Sequence, residues 1–293
     1  MALKFAYLAG EPLGVPVAKI LAHHGFIPEV VVCNPDRPRG RGRQLTAPPI
    51  KAWAQEHGVP VFQPLSWRER EALTPLTETT WDVLVVVAYN HILPGWLINL
   101  PTHGVLNLHP SLLPKLRGPS PIRTAILNDQ PESVGVTIMQ MDTEMDHGPI
   151  IAQQPYPIEP AGWPIDGQQL DTALATAGAE LLAECLQQLA VGTKLPTIPQ
   201  DHEAATYTQR LTKSMGELSI DPFALPTREE ADAIYRRAQA LAGWPGVYFF
   251  YNGTRIKIQT MTRPENGSLR IETVIPEGKP PTPFTDWVRS LER

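Results

Sequence analysis

Cysteine is scarce: 293 residues contain two, Cys33 and Cys185. That excludes a disulfide framework and a Cys-rich zinc site. Long apolar runs are missing as well. The longest candidate, Val83 to Tyr89, falls far short of the roughly 20 apolar residues that a membrane helix needs. There is no excess of positive charge, since 25 basic against 30 acidic side chains leave −5, which argues against a uniform coater of nucleic acid. Gly10 and Gly14 do not make the dinucleotide fingerprint, and no phosphate-loop Gly-Lys-Ser/Thr occurs. Ser111 lacks the Gly-x-Ser-x-Gly setting of a nucleophile elbow. The eight histidines show no His-x-x-x-His spacing, so no metal is expected. The N-terminus runs straight into a strand-like segment with no visible signal or transit peptide, which makes a cytoplasmic location, with no membrane partner, the expectation.

Proline is abundant instead. Its 32 residues are about twice the usual share and stiffen many connections. Apolar residues make up 42 % of the chain, enough for a buried core, and the length suits one large domain or two ordinary ones. Strand-like runs alternate with helical ones. Leu3 to Ala9, Val30 to Cys33, Val59 to Phe62, Val83 to Tyr89 and Val105 to His109 read as strands. Val15 to Ala22, Ile50 to His57, Arg68 to Leu76 and Ile122 to Leu127 read as helices. Val134 to Met141 and Ile150 to Ile158 are strands joined by an acidic turn. The alternation predicts an α/β fold with a mostly parallel sheet. Gln169 to Leu189 is the strongest helix, with an apolar stripe at Leu170, Leu174, Ala177, Leu181, Cys185 and Leu189 and Gly192 as its stop. Residues 1–192 are expected as the catalytic domain, 193–208 as a linker and 209–293 as a smaller β-containing domain. The second contains a helix at Glu229 to Leu241 and a hairpin at Val247 to Gln259, turned by Asn252-Gly253. No strand is assigned after Gln259, which makes this domain look shortened.

Three clusters could carry chemistry. Asn107 and His109 stand two apart at the end of an apolar strand, so they share a face, and the chain breaks at Pro110 into a loop, where open α/β sheets bind ligands. An amide beside an imidazole can polarise a carbonyl oxygen; a satisfied structural histidine is the bland alternative. Asp142, Glu144 and Asp146 surround His147 before Gly148 and could take up protons, or form a solvated turn. Arg37, Arg39, Arg41 and Arg43 alternate with Pro and Gly in a loop no core can bury. Their forked donors suit phosphate, and a merely solvated, mobile basic loop is the other reading. Residues 1–60 and 208–263 each carry a balance of +3, leaving −11 elsewhere. Two basic zones on an acidic body suit contact with a polyanion, although ordinary fluctuation of surface charge gives the same counts.

At these clusters the sequence resembles the methionyl-tRNA formyltransferases. The resemblance rests on Asn34-Pro35-Asp36-Arg37-Pro38 with Gly40-Arg41-Gly42, on Val85 to Tyr89 with Ile92-Leu93-Pro94, and on Asn107 to Pro114 with Arg117-Gly118. It continues through Gly135 to Asp142, Asp146 and Trp244-Pro245. It implies a Rossmann-like formyltransferase domain with a reduced OB-like barrel behind it. It also implies transfer of the formyl group of 10-formyltetrahydrofolate to the amino group of initiator methionyl-tRNA, with a monomer as the default state. The catalytic Asn, His and Asp of the family fall on Asn107, His109 and Asp146. Folate binding falls on Ser111, Leu112, Leu113 and Pro114, with Val87, Ala88, Tyr89 and Asn90. The tRNA falls to Arg37, Arg39, Arg41 and Arg43, with Arg210 and Lys213 in the second domain. An amino sugar-nucleotide as acceptor is the alternative activity, and a non-catalytic binder of tRNA or folate the alternative class.

Overall fold

Consecutive apolar residues cannot alternate between core and water, so runs such as Val83 to Val87 are stable only with both faces covered. The computed structural model describes residues 3–39, 42, 44–67, 73–262 and 267–292, the Arg39 side chain excepted. In it, β1 (Phe5–Ala9), β2 (Val30–Val32), β5 (Val61–Phe62), β6 (Val83–Val87) and β7 (Val105–His109) run parallel. β8 (Gly135–Gln140) joins antiparallel to β7, and β9 (Ile150–Pro155) antiparallel to β8. The sheet order is β5-β2-β1-β6-β7-β8-β9. Chain order reverses at β1, so the crevice between the carboxyl ends of β1 and β6 is the switch point where such sheets bind ligands.

The two sheet faces carry separate cores. Phe5, Tyr7, Val83, Val85, Leu106 and Leu108 point to one, beneath α1 (Gly14–His23), α2 (Pro49–Glu56) and α6 (Gly167–Ala190). Ala6, Leu8, Leu84, Val86 and Val105 point to the other, with the short turns α3 (Thr74–Thr77) and α4 (Gly95–Ile98). The period of two along β7 therefore puts Asn107 and His109 on the second face. Part of the helix expected at Arg68 to Leu76, residues 68–72, lies outside the described residues.

The buried face of α6 is wider than the expected stripe. Leu170, Leu174, Cys185 and Leu189 of that stripe are buried and Ala177 and Leu181 partly so, while Ala175, Gly178, Ala179, Leu182 and Leu186 are buried beside them. Small residues decide this, because they let the helix lie close to the sheet: a Cβ on Gly178 would stand 2.7 Å from the Leu108 side chain.

The chain divides into two compact units: Met1–Gly118, Glu132–Pro157 and Asp171–Tyr207 form the first, Pro119–Pro131, Ile158–Leu170 and Thr208–Arg293 the second. Residues 193–207, expected as a linker, belong to the first unit, and 119–131 and 158–170, expected in the first domain, belong to the second. The second unit contains α5 (Pro121–Leu127), α7 (Arg228–Ala240) and the hairpin of β10 (Val247–Tyr251) and β11 (Thr254–Thr262). Asn252 and Gly253 both have positive φ, as this turn requires. Beyond Gln259, where no strand was assigned, β12 (Arg270–Pro276), β13 (Thr282–Pro283) and α8 (Phe284–Leu291) follow. Trp287 of α8 packs on Phe249, Tyr251 and Phe284, with ring centroids at 5.7–5.8 Å. Among the described residues the sheet order is β10-β11-β12-β13, and the outer edge of β10 takes a short parallel bridge from Glu217 to Tyr248, with the Leu218 N–H donating to the Tyr248 carbonyl at 2.8 Å. The expected small β-containing domain is thus an antiparallel sheet backed by a helix. No helix of the described residues is long and apolar enough to cross a membrane.

Gly178→Leu is expected to fold with a stability loss of about 1–3 kcal/mol from overpacking against Leu108. Urea unfolding checks this, and an unchanged midpoint would contradict the close helix–strand approach.

Candidate functional site

His109 ends β7 and is buried. Its Nε2 lies 3.0 Å from the Leu116 carbonyl oxygen. A carbonyl only accepts, so Nε2 carries a proton and donates it. Nδ1 is the nitrogen left over, and it faces Asp146 Oδ2 at 3.7 Å. That distance is too long for a direct hydrogen bond. Asn107, two residues earlier on the same face, is half-buried and keeps part of its side chain accessible.

Asp146 reaches this face by a fold-back. Met141 N bonds the Val105 carbonyl at 2.8 Å, at the amino end of β7. The connection from Met141 to Pro149 then returns over the second face, where Met141 packs against that core. Gly148 makes the return possible, because a Cβ there would lie 1.9 Å from the Gln140 carbonyl oxygen. Asp146 itself has φ 51°, and the Gly118 N–H donates to its Oδ2 at 2.7 Å. The expected acidic turn is therefore not wholly solvated: His147 Nδ1 pairs with Asp142 Oδ2 at 2.7 Å, and its ring stacks on His202 at 4.0 Å.

The segment from Ser111 to Pro114 is held from beneath. Buried Thr137 donates its hydroxyl to the Ser111 carbonyl at 2.6 Å and accepts from Leu113 N at 3.2 Å. Gln153 Nε2 adds bonds to the Leu113 carbonyl at 2.8 Å and Thr137 Oγ1 at 2.9 Å. The Ser111 hydroxyl donates to the Lys115 carbonyl at 2.7 Å, so it shapes the loop rather than pointing outward. Leu112 and Pro114 are partly exposed, Leu113 is buried.

At the switch point, Ala88 adopts φ 47°, and its carbonyl accepts from Gly10 N at 3.2 Å and Glu11 N at 3.1 Å. Asn90 Nδ2 donates to Glu11 Oε1 across the crevice. Tyr89 meets Trp67 edge-on at 6.1 Å, and burial pushes its phenol pKa upward. His91 next to it is shifted down by burial and then by the Arg37 charge. Val87, expected at the folate, is fully buried in the first core. Its side chain cannot touch a ligand in the crevice. Asn34, in the Asn-Pro-Asp-Arg-Pro segment, lies against Gly10. Its Oδ1 is buried with no hydrogen-bond partner, and its amide nitrogen lies 2.7 Å from where a Gly10 Cβ would stand.

The arginine segment, expected as a loop, is partly a two-stranded ribbon. β3 (Arg37–Arg39) pairs antiparallel with β4 (Gln44–Thr46), and Arg37 is exposed. Arg41 and Arg43 lie outside the described residues. An anchor missed in the sequence holds the base: Lys51 Nζ bonds Asp36 at 2.9 and 3.0 Å and Gln63 Oε1 at 2.9 Å, while Gln63 Nε2 bonds Asp36 at 2.8 Å and the Asn34 carbonyl at 2.7 Å. An acidic residue among arginines was the available clue. In the second unit Arg210 and Lys213 are exposed. Both cysteines are free and buried, with thiols pushed up to about 11 chiefly by that burial, so neither suits a nucleophile. Among the described residues no group of three or more His, Cys, Asp or Glu is arranged to hold a metal ion.

A sequence profile described as formyl transferase matches residues 22–186, and one described as formyl transferase, C-terminal domain, matches 227–268. The chain is 37 % identical to a methionyl-tRNA formyltransferase of Roseiflexus sp., over 99 % of this chain and 93 % of that one. It is 36 % identical to the methionyl-tRNA formyltransferase of Thermus thermophilus, over 96 % and 94 %. A solved N-formyltransferase from Helicobacter canadensis, in complex with folinic acid and dTDP-3-aminofucose, has a TM-score of 0.63 at 17 % identity, covering 92 % of this chain and 98 % of that one. A sugar N-formyltransferase from Shewanella gives 0.63 at 18 %, covering 88 % and 97 %.

Hydrogen bonds from Gln63, then those from Lys51, lower the pKa of Asp36 from the ordinary carboxylate value of 3.8. A depressed carboxylate stabilises the fold above its unfolded value and stops doing so as pH falls through the folded one. Asp36→Asn should therefore be less stable than the parent at pH 6, with the gap in urea midpoints closing below pH 3.8. A gap that stays constant to pH 3 or below would count against the anchor.

Proposed function

The chain belongs to the formyl transferase family, and on that premise we propose that it transfers the formyl group of 10-formyltetrahydrofolate to the α-amino group of methionyl initiator tRNA. The observation that carries the chemistry is the meeting of His109 and Asp146 on the face that Asn107 shares. The acceptor follows from the relatives. Those at 36–37 % identity over nearly the whole chain are named methionyl-tRNA formyltransferases. The likeness to N-formyltransferases of sugars is one of fold, at 17–18 % identity. A cytoplasmic location goes with this reading, since charged initiator tRNA is found there.

An α-amino group has a pKa of about 8, so a useful fraction is neutral at pH 7 without a strong base. Formyl-folate supplies an activated carbon with a nitrogen leaving group. Attack of the amine moves negative charge onto the formyl oxygen. Asn107 donates to that oxygen from its amide, and His109, as imidazolium, from Nδ1, because Nε2 is already engaged by Leu116. Asp146 stands beside Nδ1 and takes up the proton the attacking amine releases, directly or through water. As the tetrahedral intermediate collapses, the bond from the formyl carbon to the folate nitrogen breaks, and that nitrogen takes the proton and leaves as tetrahydrofolate.

Folate is assigned to the partly exposed Leu112 and Pro114 and to the turn at Ala88, Tyr89 and Asn90, with Ser111 and Leu113 shaping the loop. The unpartnered Asn34 Oδ1 leaves this crevice an acceptor for a donor on a substrate. The tRNA is assigned to Arg37, Arg39, Arg41 and Arg43, with Arg210 and Lys213.

The assay is formyl transfer to charged initiator methionyl-tRNA, with uncharged tRNA and free methionine as controls. The charged tRNA alone should be formylated; transfer to an amino sugar-nucleotide instead would replace the acceptor. Asn107→Ala and His109→Ala should each lose at least ~10²-fold in kcat with unchanged thermal midpoints. Near-parental turnover in either would sink the assignment. Replacing all four loop arginines by alanine should weaken tRNA binding and flatten its salt dependence, and equal affinity would remove the loop from the interface.

A further inference from the structure

Arg117 is 1 % exposed, and among the described residues no carboxylate is recorded within ion-pair distance of it. A buried guanidinium is costly unless its donors are satisfied. Here Nε and Nη2 fork onto Gln200 Oε1 at 3.1 and 2.7 Å. Nη2 also meets His202 Nδ1 at 2.9 Å, and Nη1 the Tyr207 hydroxyl at 3.4 Å. Gln200 is itself buried. Its other carboxamide atom, Nε2, donates to the Asp146 carbonyl at 2.9 Å and the Gly148 carbonyl at 2.7 Å. The arrangement fixes the amide's orientation, since the reverse would set donors against donors and oxygen against oxygens.

These bonds fall on the residues that need holding. Asp146 sits at a positive φ that non-glycine residues avoid, and at Gly148 the returning chain passes Gln140 too closely to admit a Cβ. We infer that Gln200, oriented by Arg117, is a positioning residue that holds the Asp146 backbone so that its carboxylate stays beside His109. The inference rests on the proposed reaction for its kinetic consequence but not for its geometry.

Gln200→Glu separates positioning from mere satisfaction of the buried arginine. The introduced carboxylate still accepts from Arg117, but it offers no N–H to the Asp146 and Gly148 carbonyls. If Gln200 only satisfied Arg117, this variant would behave like the parent. If it positions Asp146, kcat for formyl transfer falls about 10- to 100-fold while KM for folate and tRNA stays within about threefold. The Gly118 amide, which donates to Asp146 Oδ2, then exchanges its hydrogen faster than in the parent. Unchanged kcat with unchanged Gly118 exchange overturns the inference. If the parent transfers no formyl group, the proposed function fails, and Gly118 exchange still decides the positioning role. Should Gln200→Glu not fold, Arg117→Lys serves: a single ammonium cannot fork onto Oε1, so a smaller loss in kcat, about 3- to 10-fold, is expected with faster Gly118 exchange, and parental values of both overturn it.

Discussion

The hydrogen bond from His109 Nε2 to the Leu116 carbonyl is the constraint on which the site depends. It decides which nitrogen of the ring is available and fixes the ring plane. Leu116 has to present its carbonyl from a left-handed backbone, at φ 61°. Its own N–H is held by Thr206 Oγ1 at 2.8 Å, and Arg117 N by the Thr206 carbonyl at 2.8 Å. Thus residues 200–207, which follow α6 by a short connection, are structural members of the site. In the first unit the non-glycine residues recorded with positive φ are Ala88, Leu116 and Asp146. Each costs of order 1–3 kcal/mol and persists only where its surroundings hold it. Each is held by at least one bond to its own backbone: the Ala88 carbonyl by two N–H groups, Leu116 by Thr206 and His109, Asp146 by Gln200.

The reversal of strand direction at β8 sets a second requirement. Because β8 runs antiparallel to β7, its exit at Gln140 lies beside Leu106 rather than His109. A tight hairpin into β9 would leave Asp146 at the wrong end. The longer connection folds back instead over the face that carries Asn107 and His109, and Gly148 relieves the crossing with Gln140. The carboxylate and the imidazole meet because the connection is long and one residue in it lacks a Cβ.

Local pattern carried much of the fold in the sequence. β7 begins and ends where the apolar run and Pro110 place it, and the Asn252-Gly253 turn is a hairpin because both residues accept positive φ. α6 was visible as a helix with most of its stripe correctly buried, and its buried face is wider than that stripe because Gly178 and the alanines beside it are buried too. β12, β13 and α8 were missed. β12 has mixed composition, β13 is two residues long, and α8 earns its place through Trp287, whose contacts are tertiary. That Asn107 and His109 share a face was legible in their spacing, and the resemblance alone joined Asp146 to them. The Lys51–Asp36–Gln63 anchor and the Arg117–Gln200 link were not legible, since their partners are 12 to 83 residues apart in the chain and no periodicity connects them.

These links also bear on why a site of this kind can do acyl chemistry near neutral pH. Donors aimed at a developing oxyanion help most when they need no reorganisation during the reaction. The bonds that keep the loops in shape are amide, hydroxyl and guanidinium contacts: Thr137 under Ser111 and Leu113, Gln153 under Leu113, Gln200 under Asp146, with Arg117 behind it. None of those groups changes charge between pH 5 and 9. These contacts therefore do not loosen across the range in which an attacking amine loses its proton. Changes in rate over that range can then be read without a contribution from them.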